Sequence, residues 1–121
     1  MPIVPAPFTD SGSVSAGAGA QITVATYNVE GIQNWRLVMK NTGGNALNNT
    51  NEGDGDIEGS LDMVSWITVA TTFRALAAGA LATYEDIDNT YRFLRVRAQS
   101  ASGTSLELKF HAVPYPQSAG L

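Results

Sequence analysis

Two runs of alternating side chains, residues 91–99 and 105–112, constrain this chain more than any other feature. In the first, Leu94, Val96 and Ala98 fall on one side, and Phe93, Arg95, Arg97 and Gln99 on the other. In the second, Leu106, Leu108, Phe110 and Ala112 alternate with Ser105, Glu107, Lys109 and His111. Successive side chains of a strand point to opposite faces, so each run can bury one face and keep the other wet. Between them lies Ser100-Ala101-Ser102-Gly103-Thr104, polar and glycine-containing, the composition of a longer hairpin loop. The expectation is two antiparallel strands paired around that loop. Burying each large apolar side chain contributes roughly 1.5–3 kcal/mol, so these runs alone supply much of a small core.

The same period recurs upstream. Residues 21–29 read as a first strand through Ile22, Val24, Thr26 and Tyr27. Residues 34–40 follow, with Trp35, Leu37 and Met39 on one face. Residues 41–55 are rich in Asn and Gly, which favour turns, with a short strand possible through Ala46 and Leu47. Residues 56–62 read as strand, with Ile57, Gly59 and Leu61 inward and Asp56, Glu58 and Asp62 outward. Residues 66–72 and 81–87 complete the set; 73–82 read as a loop or single turn, because Gly79 cuts the Ala/Leu segment short. Six to eight short strands at intervals of roughly 8–12 residues, with no long helix, predict an all-β fold. Its form is an antiparallel β-sandwich, jelly-roll-like, spanning residues 21–113. Residues 114–121, with Pro114 and Pro116, form a tail expected to leave the sheet.

Residues 1–20 differ from the rest: three prolines, then a Ser/Gly/Ala tract that resists regular structure. This segment reads either as a frayed tail or as a flexible arm ordering on a neighbouring subunit. Extended, it reaches roughly 65–70 Å, against a radius of gyration of about 13 Å for a domain of about a hundred residues. Ile3, Val4 and Phe8 would be its anchors.

Seven basic against eleven acidic residues give a net charge of −4, which argues against nucleic-acid binding. Charged residues make up only 15% of the chain, leaving surfaces that tolerate contact with other protein. There is no cysteine, so thiol chemistry is excluded. No basic residue precedes Arg36 and no apolar run suits a membrane span, so neither a secretory signal nor membrane insertion is expected.

Asp54, Asp56, Glu58 and Asp62 imitate the start of a calcium loop, where oxygens at alternate positions converge on one cation. The twelfth position is Ser65 instead of the bidentate glutamate such loops need. The bland alternative, a solvated acidic loop and strand face, is preferred, and no metal or other cofactor is expected. His111, the single histidine, lies on the polar face, and no Gly-x-Ser-x-Gly turn accompanies it. No enzymatic activity is expected. Phe93, Arg95 and Arg97 share a face and are candidates for contact with a partner or another subunit; Arg95 and Arg97 could instead pair with Glu107 across the hairpin. Tyr27, Trp35, Trp66, Tyr84, Tyr91 and Phe93 include candidate sugar-stacking rings, though strand aromatics are more often core or subunit contacts.

Ser60-Leu61-Asp62-Met63-Val64-Ser65-Trp66 and Tyr91-Arg92-Phe93-Leu94-Arg95-Val96 carry a resemblance. Together with the arm and the Ala/Thr/Ser/Gly-rich strands, they resemble small β-sandwich structural proteins of tailed bacteriophages, of the head-decoration or cement type. Less closely, the same stretches resemble discoidin-like (factor 5/8 type C) domains, which bind sugars and lipids. The first resemblance implies a virion protein on the capsid surface, assembled in the host cytoplasm. It would be a homo-oligomer, such as a trimer, with the major capsid protein as partner. The alternative is a carbohydrate-binding module of a phage tail or fibre.

Overall fold

A computed structural model describes residues 21–47, 56–100 and 102–115, and the backbone of residues 8–14. Among the described residues the alternating sequence becomes eight strands: β1 (Phe8–Val14), β2 (Ile22–Asn28), β3 (Ile32–Asn41), β4 (Ile57–Ser60), β5 (Ile67–Ala70), β6 (Leu81–Asp86), β7 (Phe93–Ala98) and β8 (Thr104–Pro114). They form two four-stranded sheets, sheet A in the order β1-β8-β3-β6 and sheet B in the order β2-β7-β4-β5. Every pairing is antiparallel, and β1 with β8, β2 with β7, β3 with β6 and β4 with β5 nest as one long rolled hairpin. That order is the double-sheet jelly roll. Among the described residues no helix is long and apolar enough to cross a membrane.

The predicted hairpin of β7 and β8 does not form. The two strands lie in different sheets, and residues 99–103 carry the chain from one to the other. Leu94, Val96 and Ala98 do face Leu106, Leu108, Phe110 and Ala112, but across the core between the layers. Alternation fixes which face of each strand is apolar; it does not say whether two strands meet edge to edge or face to face. The connection behaves as a packed corner. Gln99 and Ser100 are buried, the Ser100 hydroxyl donates to the Ala46 carbonyl at 3.1 Å, and Gly103 takes φ +80°.

Four further expectations are corrected. Residues 8–14, read as part of an arm without regular structure, form β1, which pairs along β8 from Phe8 opposite Phe110 to Val14 opposite Thr104. An edge strand needs only backbone partners on one side, so its Ser/Gly-rich composition is no barrier. Pro114 belongs to the last position of β8, opposite Ile32, where a missing N–H costs the ladder little. Leu61 lies beyond β4 and is exposed, because the chain has already turned. Leu47 is buried in the core although it belongs to no strand. The anchors Ile3 and Val4 lie outside the described residues.

Four aromatic rings cross the core in a row. Tyr27 stacks on Phe110 with centroids 4.2 Å apart, Phe110 on Trp35 at 5.8 Å, and Trp35 meets Tyr84 at 5.5 Å. Such contacts add about 0.5–1.5 kcal/mol each beyond burial. Gly59 makes room for another ring, since a Cβ there would lie 2.5 Å from Cγ of Tyr91.

Two buried asparagines hold opposite ends of the sandwich. Asn41 donates from Nδ2 to the carbonyls of Asn45 and Leu76 and accepts at Oδ1 from Gly43 N–H and the Thr104 hydroxyl. Asn89 donates from Nδ2 to the carbonyls of Val29, Ile32 and Tyr91, and accepts from Trp35 Nε1 and Tyr91 N–H. Each satisfies backbone groups that leave the ladders where strands end, the condition for burying them.

Candidate functional site

With Leu94 and Val96 in the core, Phe93, Arg95 and Arg97 emerge on the outer face of sheet B. The register sets Arg95 opposite Glu58 on β4 and Thr26 on β2, and Phe93 opposite Ser60 and Asn28. Arg95 Nε donates to Glu58 Oε1 at 2.7 Å, with the two side chains only 20% and 5% exposed. The Arg95 guanidinium carbon lies 4.2 Å from the ring centroid of Trp66, just ahead of β5. The cation is thus held between a carboxylate and an aromatic face, a contact of about 1–2 kcal/mol for a partly desolvated pair. Arg97 Nη2 donates to the Gln21 carbonyl at 3.2 Å.

The structure therefore brings Phe93, Arg95 and Arg97 onto one face, as alternation predicts, but Glu107 is not their partner. It lies on β8 in the other sheet and pairs loosely with Lys109 at 3.8 Å. Phe8 belongs to β1, on the edge of sheet A and not on this face.

The acidic run does not behave as a solvated face. Asp56 and Glu58 are both buried, Glu58 because Arg95 and Trp66 cover it. Asp62 is exposed and closes the β4–β5 turn: Oδ1 accepts the N–H groups of Val64 and Ser65 at 2.8 and 2.9 Å and the Ser60 hydroxyl at 3.0 Å. Hydrogen bonds from Ser65, Val64 and Ser60 hold its carboxyl below the usual aspartate range. Asp54 lies outside the described residues. Among the described residues, no three His, Asp or Glu side chains gather as a metal-binding group.

Of the aromatic candidates, Tyr27 and Trp35 are core residues, Tyr84 packs on Trp35, and Tyr91 lies against Gly59. Burial first, then Asp86 and Tyr91, pushes the Tyr84 hydroxyl above the usual tyrosine value. Trp66 and Phe93 alone of the six share the outer face of sheet B, and Arg95 already covers one side of Trp66. His111 lies on the outer face of sheet A, opposite Arg36, in an open groove of about 300 Å³ with Asn34, Glu85 and Val113. Arg36 donates from Nε and Nη2 to Glu85 Oε2 at 3.0 and 2.7 Å.

The sequence places a turn at Met63-Val64-Ser65, where the structure has one, but sequence reasoning missed the apolar cluster on it: Leu61, Met63 and Val64 all stand in solvent. Three apolar residues within four positions, in a segment also holding Asp62 and Ser65, were the available signal.

Fold and site define the class of protein: an eight-stranded antiparallel jelly-roll sandwich with a charge-paired outer face and an apolar turn. Comparison with protein-family models, curated proteins and solved structures finds no match for the chain.

Proposed function

We propose that this chain is a non-enzymatic structural protein of a tailed-bacteriophage virion, decorating or cementing the capsid as a homo-oligomer. Its partners are copies of itself and the major capsid protein, and its place is the capsid surface after assembly in the host cytoplasm. The observation that carries the reading is the combination on sheet B. Glu58 and Arg95 neutralise each other, while the neighbouring turn exposes Leu61, Met63 and Val64. Spent charges beside exposed apolar side chains suit contact with protein better than turnover of a small molecule.

Two further observations support it. The stretches that carry the phage resemblance meet in space, with Ser60 opposite Phe93 and Trp66 against Arg95. The jelly roll also recurs in viral capsid and lectin domains, an analogy of fold that favours a binding role.

The test is reconstitution. Purified chain is added to capsids assembled without it, and occupancy is measured by cryo-EM. Saturable density at repeated capsid positions is expected, and bare capsids would overturn the proposal. A chain lacking residues 1–7 keeps β1 and tests the arm alone; unchanged occupancy removes those residues from the mechanism. Reproducible glycan-array binding, lost in a folded Trp66→Ala variant, would move the assignment to a carbohydrate-binding module.

A further inference from the structure

The β4–β5 turn offers an apolar tip that the sandwich does not use. Leu61, Met63 and Val64 are 59%, 50% and 80% exposed, and Ile67 at the start of β5 is 60% exposed. Apolar residues scattered singly over a surface need no explanation, but four within seven positions form a patch. The turn is built to hold its shape. Besides the three bonds to Asp62 Oδ1, Ser60 Oγ accepts the N–H groups of Asp62 and Met63 at 3.2 and 2.9 Å. Met63 sits at φ +63°, a left-handed conformation that long side chains seldom adopt. Asp62 Oδ2, on an ionised carboxylate, has no partner among the described residues.

The groove on sheet A has complementary features and lies at the same end of the sandwich. Asn89 links the first residues of β3 to the chain entering β7 through the carbonyls of Ile32 and Tyr91, and Ser60, just before the tip, pairs with Phe93. Val113 lines the groove, and Ile87, 70% exposed, follows β6 beside Glu85. Because Arg36 uses Nε and Nη2 on one Glu85 oxygen, Nη1 keeps donor capacity.

We infer that the tip of one copy seats in the groove of a second copy, with Leu61, Met63 and Val64 against Val113 and Ile87 and the Asp62 carboxylate on Arg36. The inference rests on the homo-oligomer part of the function proposed above. A second copy is the occupant because the groove supplies what the tip lacks: a concavity of side-chain size, an apolar edge at Val113 and, on the guanidinium already paired with Glu85, N–H donors at Nη1 that the pair does not use. No basic residue lies between Ser60 and Thr72, and the two arginines nearest the tip, Arg92 and Arg95, are paired with Glu30 and Glu58, so an anionic bilayer finds little net positive charge to hold there. Tip and groove are different surfaces, which makes the contact heterologous, and around a closed ring each subunit gives one of each. The four tip side chains expose on the order of 400 Å², about half of one side of a stable interface, so each subunit needs both contacts.

The chain has no cysteine, so Val64→Cys and Val113→Cys each introduce a single thiol at an exposed position. The two full-length variants, carrying tags of different size, are mixed, oxidised and run on a non-reducing gel. The mixed dimer should exceed either self-pair at least tenfold, and Met63→Glu in the Val64→Cys chain should abolish it. No mixed product, or self-pairs in equal yield, overturns the inference. Sedimentation velocity of the unmodified chain separates it from the capsid reading. An oligomer that cross-links tip to groove but leaves capsids bare keeps the contact and loses decoration. Capsid occupancy by a chain that sediments as a monomer keeps decoration and loses the contact.

Discussion

Asn89 shows how much one side chain decides in this molecule. Its carboxamide nitrogen serves three carbonyls while its oxygen takes the Trp35 indole and Tyr91 N–H, all within a residue 3% exposed. Asn89→Ala leaves those groups without partners and should cost at least about 2 kcal/mol in chemical denaturation. Asn89→Asp should cost more at neutral pH, since it turns an anion toward three carbonyl oxygens. Burial among those oxygens raises the folded pKa of the new carboxyl above the unfolded one. The deficit should therefore narrow as pH falls toward about 4 and level off below that, where the carboxyl is protonated in both states and can donate. Asp62 makes the opposite case. Its folded pKa is depressed, so the stability it lends the turn is present above the ordinary value of 3.8 and lost as pH falls through the lower folded value. Amide shifts of Val64 and Ser65 should titrate together with a midpoint below 3.8, and Asp62→Asn should remove that titration. Neither role was legible beforehand. Asn89 in Asp88-Asn89-Thr90 looks like any turn asparagine, because two of its three carbonyl partners, Val29 and Ile32, come from a chain segment that only the fold brings to it.

Among the elements, β4 and β7 form the pair on which the outer face depends. Arg95→Met leaves the Glu58 carboxylate, 5% exposed, without its cation, and should destabilise the protein by about 3 kcal/mol. The double variant Glu58→Gln, Arg95→Met should recover most of that loss, and a double-mutant cycle by urea unfolding measures the difference. If the double variant is as unstable as Arg95→Met, packing of the arginine stem on Trp66 matters more than the charge. The faces of these strands were readable from period two: Leu94, Val96 and Ala98 are buried, and Phe93, Arg95 and Arg97 face outward. The partners were not readable. Glu58 precedes Arg95 by 37 positions, whereas Glu107 sits just past the loop and appeared the natural choice. A five-residue polar connection fits a hairpin within one sheet as well as a corner between two. What selects the corner is burial on both strands at once, since a lone pair could hide its apolar faces only against a third layer.

At the scale of the whole molecule, the rolled hairpin makes the two ends of the chain depend on each other. β1 is the first strand and β8 the last, yet they pair over seven positions at one edge of sheet A. β8 also carries the inner residues Leu106, Leu108 and Phe110 and is the strand to which β3 bonds on its other side. Removing residues 1–14 should therefore do more than trim an arm. It strips one ladder from β8 and leaves a long open edge, the usual template for pairing with another chain. A truncation ending after residue 7 keeps β1 and should melt within a degree or two of the full chain. The longer truncation should melt at least ~5 °C lower, matching a loss of about 1 kcal/mol or more for a domain of this size. It should also associate through the exposed edge, which light scattering at increasing concentration would detect. Equal melting temperatures for the two truncations would mean that β1 contributes nothing to the sandwich, returning residues 8–14 to the role of a free arm.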